Sequence, residues 1–92
     1  MYMFVAVICD IADGGHRDLV VDFLRRYGFK EIVDNTFETT SISEKALMRL
    51  KRDIDKSTDF YDKVRFYQYP FEGTMVISFL SEKKWKKSVI KV

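Results

Sequence analysis

The first part of the chain alternates between a strand pattern and a helix pattern. Residues 2–10 carry apolar side chains at both odd and even positions. This predicts a central strand whose two faces are both covered. Asp13 can cap a helix in which Leu19, Val20, Phe23, Leu24 and Tyr27 recur at helical spacing until Gly28.

The remaining chain predicts further strands and a second helix. Residues 29–39 form a strand pattern that should bend or split near Asn35 or Thr36. Ser41 and Glu44 have the spacing of a capping box, which opens a helix with Leu47, Leu50 and Ile54 inside. Three more strands are predicted over residues 63–69, 74–80 and 88–92.

This order predicts an α+β fold of ferredoxin-like (βαββαβ) type with an additional short C-terminal strand. We expect residues 1–80 to form the ferredoxin-like domain and residues 81–92 a basic tail that contains the short strand. Both helices of such a fold cover one sheet face, yet the first strand is apolar on both. A second copy of the sheet is the simplest cover, which predicts a homodimer.

Composition adds three constraints. One cysteine and one histidine exclude an intramolecular disulfide and indicate that no structural zinc site can be assembled. Residues 1–10 are apolar but lack a basic n-region and a cleavage site and are too short to span a bilayer, so we expect a cytoplasmic protein with no membrane association. The net charge is +2, but residues 81–92 hold five lysines and one glutamate, which leaves −2 for the rest.

Asp10 is the first candidate for chemistry. A carboxylate after eight apolar residues is costly unless it is exposed, paired or bound to a metal. In a two-fold dimer, Asp10 and its symmetry mate could share a Mg²⁺ ion, which prefers oxygen ligands. Spacing alone favours the simpler interpretation, in which Asp10 ends the strand and bonds to the turn. His16 is interpreted as a surface or capping group, and Cys9 as a packed core side chain.

Two basic segments are candidates for binding nucleic acid or a partner. In the second helix, four cations lie on one face at spacings of four, three and four: Lys45, Arg49, Arg52 and Lys56. Such a stripe can follow a phosphate backbone, and a solvated helix face explains it equally well. The tail interleaves an aromatic residue with cations, which suits a nucleic acid or an acidic protein groove; its members are Lys83, Lys84, Trp85, Lys86 and Lys87. Trp85 is expected to pack on the domain and the lysines to make the contacts.

The ordered set of short motifs resembles one known family. The matching segments are the start Met-Tyr-Met-Phe-Val-Ala-Val with Cys9-Asp10-Ile11, then Arg17, Leu24 with Tyr27-Gly28-Phe29, Asn35-Thr36-Phe37-Glu38, the basic helix and Val64-Arg65-Phe66-Tyr67. Together they cover about residues 1–80 and resemble CRISPR-associated protein 2, the small subunit of the spacer-acquisition machinery.

The resemblance implies a ferredoxin-like homodimer that bridges two dimers of the CRISPR adaptation integrase and helps to hold double-stranded DNA. Several family members are similar to Mg²⁺-dependent nucleases that act on RNA or DNA. In those, the aspartate that ends the first strand is the proposed metal ligand, which corresponds to Asp10, while Arg17 and Phe37 match the family's helix arginine and second-strand phenylalanine. Cys9 replaces the usual tyrosine, and Asn35 and Thr36 stand within a segment where a glutamine and a serine are typical. The alternatives are a metal-dependent endoribonuclease and a ribonuclease toxin of the virulence-associated type.

Overall fold

The computed structural model describes residues 2–91. Met1, part of the resembling segment, and Val92, the end of the last predicted strand, lie outside the described residues. The elements are, in chain order, β1 (Tyr2–Asp10), α1 (Gly14–Arg26), β2 (Lys30–Val33), β3 (Thr36–Ser43), α2 (Glu44–Lys56), β4 (Lys63–Phe71), β5 (Thr74–Ser81) and β6 (Lys84–Lys91).

The strands form one six-stranded sheet in the order β2-β3-β1-β4-β5-β6, with every neighbouring pair antiparallel. The predicted α+β class is confirmed, and the arrangement is compatible with a ferredoxin-like fold. Strand β1 lies inside the sheet between β3 and β4, as its apolar sequence predicts. No helix within residues 2–91 is long and apolar enough to cross a membrane.

One face of the sheet carries the hydrophobic core. Alternate residues of β1 point to this face and are buried: Met3, Val5, Val7 and Cys9. They pack with the buried faces of both helices, which include Leu24 of α1 and Leu50 of α2. Leu19 was predicted to lie on the buried face of α1, but it is half exposed. Val21, which was not part of that pattern, is buried.

The opposite face of the sheet is also apolar. Strand register places on this side Phe4, Ala6, Ile8, Tyr67, Tyr69, Ile77, Phe79 and Ile90. Ile8, Tyr69 and Ile90 are each about two-fifths exposed. The two-sided pattern read from β1 is thus present, and within the single chain the second face is open to solvent.

One local boundary agrees with the predictions and two differ from them. The split near Asn35 is confirmed: β2 and β3 are separate strands, joined by a turn in which Asn35 has a φ of 65°. Ser43, not Ser41, caps α2, because pairing with β1 keeps residues up to Ser43 in β3. Pro70 lies inside β4, beyond the part of the strand that pairs with β1, where the register with β5 shifts.

The basic C-terminal segment forms a complete strand. β6 begins at Lys84, four residues before the predicted start, and pairs with β5 along its whole length. The connecting residues, Glu82 and Lys83, have φ angles of 54° and 59°. Two consecutive positive φ angles are typical of the turn that suits the twist of a tight β-hairpin.

Candidate functional site

The carboxyl end of β1 is where several predicted residues meet. Asp10 is exposed and lies opposite Lys63 of β4 in the strand register. Arg17 reaches the same end through Asn35: its Nε donates to Asn35 Oδ1 at 3.1 Å, and the Asn35 carbonyl accepts from the Cys9 amide at 2.9 Å. The Asn35 side chain thus holds the Arg17 guanidinium near the end of β1.

Arg17 is also close to an acid. A terminal nitrogen of its guanidinium lies 3.9 Å from Glu31 Oε2, and the guanidinium is about two-fifths exposed. It therefore remains accessible to a phosphate near the end of β1. Cys9, by contrast, is no nucleophile, since burial raises the pKa of its thiol to about 12 despite the nearby positive charge of Arg17.

A cluster of three possible metal ligands, which does not include Asp10, joins the first turn of α1 to the loop before β4. One ligand atom from each of His16, Asp59 and Asp62 lies within 4.8 Å of the others. The sequence interpretation of His16 as part of the helix cap is consistent with its backbone, whose N–H donates to Asp13 Oδ1 at 2.9 Å. Its ring, however, faces the loop between α2 and β4. The sequence did not identify Asp59 and Asp62 as candidate ligands, because two aspartates in a loop form no recognisable motif. Only the fold places them next to a histidine.

Asp10 can supply one carboxylate to the Mg²⁺ ion that the resemblance implies. Mg²⁺ is commonly held by one or two carboxylates with water or phosphate oxygens in its other positions. The exposed Asp10 fits the role of one such carboxylate. Bound there, Mg²⁺ would polarise a phosphate oxygen, and Arg17 would steady the same group.

The basic stripe of α2 is presented to solvent. All four of its cations, Lys45, Arg49, Arg52 and Lys56, are exposed and lie on the side opposite the buried Leu47, Leu50 and Ile54. Within residues 2–91 none of the four has a carboxylate oxygen within 4.0 Å. The stripe is therefore available to a negatively charged ligand.

Lys51 lies apart from the stripe that it flanks in sequence. Its Nζ donates to Ser78 Oγ at 3.0 Å and lies 5.5 Å and 5.8 Å from the ring centroids of Phe66 and Trp85. Burial, with help from the charge of Lys87, lowers the pKa of Lys51 to about 8. Two cavities, of about 560 Å³ and 390 Å³, are both lined by Lys51.

Some residues of the basic C-terminal segment contact the rest of the domain, and others are exposed to solvent. Lys83 pairs with Asp55 of α2, with its Nζ 2.6 Å from Oδ1, and also donates to the Thr58 carbonyl at 3.1 Å. Trp85 Nε1 donates to the other Asp55 oxygen at 3.1 Å, so the predicted packing of Trp85 on the domain is found. These contacts attach β6 to α2, and the Lys83 ammonium holds the pKa of Asp55 below its usual value. Lys84, Lys86 and Lys87 stay exposed.

Comparison of the chain with models of known protein families and with curated proteins gave no match. The case for a function therefore depends on the positions of the cations, the carboxylates and the open apolar face described above.

Proposed function

We propose that the chain is a nucleic-acid-binding homodimer with a ferredoxin-like fold, which acts in CRISPR spacer acquisition as an adaptor between the integrase and double-stranded DNA. The observation that carries this proposal is the exposed stripe of four cations on α2, none of which has an ion-pair partner within residues 2–91. The motif resemblance to CRISPR-associated protein 2 gives the biological setting.

The dimensions of the stripe suit a phosphate backbone. Lys56 lies eleven positions after Lys45, which corresponds to about 16 Å along a helix. A duplex carries one charge per about 1.7 Å of its axis, so this length faces about ten phosphate charges. Cations without protein partners can neutralise such charges and release the condensed counterions, which drives binding of any sequence.

The second apolar face supports the homodimer. This face carries Phe4, Ile8, Tyr69 and Phe79. Burying it against another surface is favourable by about 25 cal/mol per Å² of apolar area removed from water. A second copy offers the same apolar face about a two-fold axis. Dimerisation would also place two α2 stripes on one particle.

The exposed lysines of β6 are the best supported contacts for the integrase. Lys83 and Trp85 are engaged with Asp55, so the predicted partner surface narrows to Lys84, Lys86 and Lys87. These three lie on an edge strand, whose free backbone groups can also pair with a partner strand.

The test of this function is DNA binding by a variant that lacks the stripe. In this variant Lys45, Arg49, Arg52 and Lys56 are replaced by glutamine, and we expect its affinity for a short duplex to fall about 100-fold at low salt, because four phosphate contacts are lost. Fluorescence anisotropy at 50 mM salt measures the affinity, and far-UV circular dichroism checks the fold.

The matched control removes the same charge elsewhere. Arg25, Arg26, Lys30 and Lys91 are all exposed, and their replacement by glutamine should change the affinity by less than about fivefold. Equal losses in the two variants, or no binding by the wild type, would contradict a DNA interface on α2.

A metal-dependent nuclease is the second candidate, favoured by the exposed Asp10 with Arg17 beside the same strand end. It predicts cleavage of RNA or DNA that requires Mg²⁺ and is lost in Asp10→Asn, while Glu72→Gln at the opposite end of the sheet retains it. Cleavage that survives Asp10→Asn would exclude this site. Toxicity on expression of the chain alone would instead favour the ribonuclease toxin.

A further inference from the structure

Two separate parts of the chain converge on one small polar cluster. His16 belongs to the first turn of α1, and Asp59 and Asp62 belong to the loop between α2 and β4. His16 Nδ1 lies 3.1 Å from Asp62 Oδ2 and 3.8 Å from Asp59 Oδ2. In a tetrahedral zinc site with bonds of about 2.0–2.2 Å, ligand atoms lie roughly 3.3–3.5 Å apart, so the two distances bracket that spacing.

Asp62 supplies an independent indication of a missing ligand. Its side chain is only 1% exposed, and its Oδ1 has no hydrogen-bond partner among the described residues. A buried carboxylate oxygen without a partner is costly, because it loses its hydration and gains nothing in return. The same carboxylate faces His16 through Oδ2.

A simple histidine–aspartate hydrogen bond explains only part of this arrangement. It accounts for Asp62 Oδ2, which also accepts from the Asp59 backbone N–H at 2.9 Å. It leaves Asp62 Oδ1 without a partner, and it does not explain why a second carboxylate approaches the same imidazole nitrogen. A cation held by Asp59, His16 and both oxygens of Asp62 would account for both observations.

We propose that His16, Asp59 and Asp62 form a binding site for a divalent transition-metal ion of the zinc class, distinct from the Asp10 position. The imidazole nitrogen favours zinc and its neighbours over Mg²⁺ or Ca²⁺, which prefer sites made entirely of oxygen. Two carboxylates and a neutral imidazole balance the charge of such an ion. Asp59 is half exposed and His16 about one-third exposed, so the ion can enter from solvent.

The proposed site differs from the structural zinc site that composition argues against. It needs one histidine and no cysteine, because carboxylates are zinc ligands too. The bound ion would tie the start of α1 to the loop before β4. This inference does not depend on the proposed DNA function, since neither the stripe nor the Asp10 position belongs to the site.

The single histidine makes the test direct. The experiment uses the full chain without a polyhistidine tag, and follows the ring nitrogens of His16 by long-range ¹H–¹⁵N NMR during titration with zinc chloride. We expect the Nδ1 resonance, and not Nε2, to shift to the position of a metal-bound nitrogen. Saturation should occur at one zinc ion per chain, and Mg²⁺ at the same concentration should cause no shift.

Two variants decide which carboxylates take part. Asp59→Asn changes an exposed side chain whose other oxygen accepts from the Tyr61 backbone N–H, so the fold should survive, and zinc affinity should fall at least about tenfold. Glu72→Gln, which changes an exposed carboxylate at the opposite end of the sheet, should leave zinc affinity unchanged. A zinc shift at Nε2, no shift at all, or an equal loss in both variants would overturn the proposal.

Discussion

Lys51 flanks the basic stripe in sequence, which indicates an exposed side chain, but its surroundings in the fold are partly buried. Its ammonium lies between α2 and the sheet, bonded to Ser78 and close to two aromatic rings. Within residues 2–91 no carboxylate lies within 4.0 Å of it. The low pKa of Lys51, about 8, follows from that burial.

This pKa predicts how stability depends on pH. Between pH 8 and 10.5 the unfolded chain keeps the Lys51 proton that the folded chain releases, so the free energy of unfolding should rise with pH. Below pH 8 both states are charged and the cost of burial is fully present. Lys51→Met should remove the rise, which we expect to be on the order of 1 kcal/mol after solvent screening.

Urea unfolding of both proteins at several pH values from 7 to 10.5 measures this effect. The raised pKa of Cys9 acts in the opposite direction above pH 9, but it does so equally in both proteins. The difference between the two curves therefore isolates Lys51. Parallel curves over this range would show that Lys51 titrates normally in the folded protein.

The candidate metal cluster marks the limit of sequence reasoning at this scale. Asp10 and the four α2 cations could be identified because an interrupted apolar run and a helical spacing are local patterns. His16 and Asp62 are 46 positions apart, and only the fold brings the first turn of α1 next to the loop before β4. Nothing in the local sequence of either residue indicates the other.

At the scale of elements, helix α2 shows that strand pairing decides where the helix starts. Ser41 has the capping-box spacing to Glu44, but β3 continues as far as Ser43, paired with Tyr2. Ser43 Oγ then accepts from the Ala46 backbone N–H at 3.1 Å. Long-range strand pairing therefore overrides the local capping motif. The sequence pattern predicted a strand only as far as residue 39 and so did not show that β3 continues to Ser43.

The two serines form a matched pair for a stability test. Ser43→Ala should reduce the free energy of unfolding by about 1 kcal/mol, because an N-terminal N–H of α2 loses its acceptor. Ser41→Ala, at an exposed position of β3, should change it by less than about 0.5 kcal/mol. Urea denaturation of the two variants compares them, and a larger loss at Ser41 would place the cap where the sequence motif predicts it.

At the scale of the whole molecule, the apolar pattern of β1 was the most informative feature of the sequence. It predicted both the central place of β1 and the apolar second face, on which Ile8, Tyr69 and Ile90 are open to solvent. The position of β6 was harder to predict, since five lysines in residues 81–92 suggest a tail. Its attachment depends on Asp55, a helix residue that accepts from Lys83 and Trp85.

The central claim is that the cationic stripe of α2 binds the phosphate backbone. The measurement that tests it most directly is the salt dependence of duplex binding, with the dimer confirmed by sedimentation in the same buffer. We expect a slope of log Kobs against log salt of about −3.6 for the four phosphate contacts of one stripe, falling to near zero when the stripe is removed. A slope that is unchanged without Lys45, Arg49, Arg52 and Lys56 would contradict it.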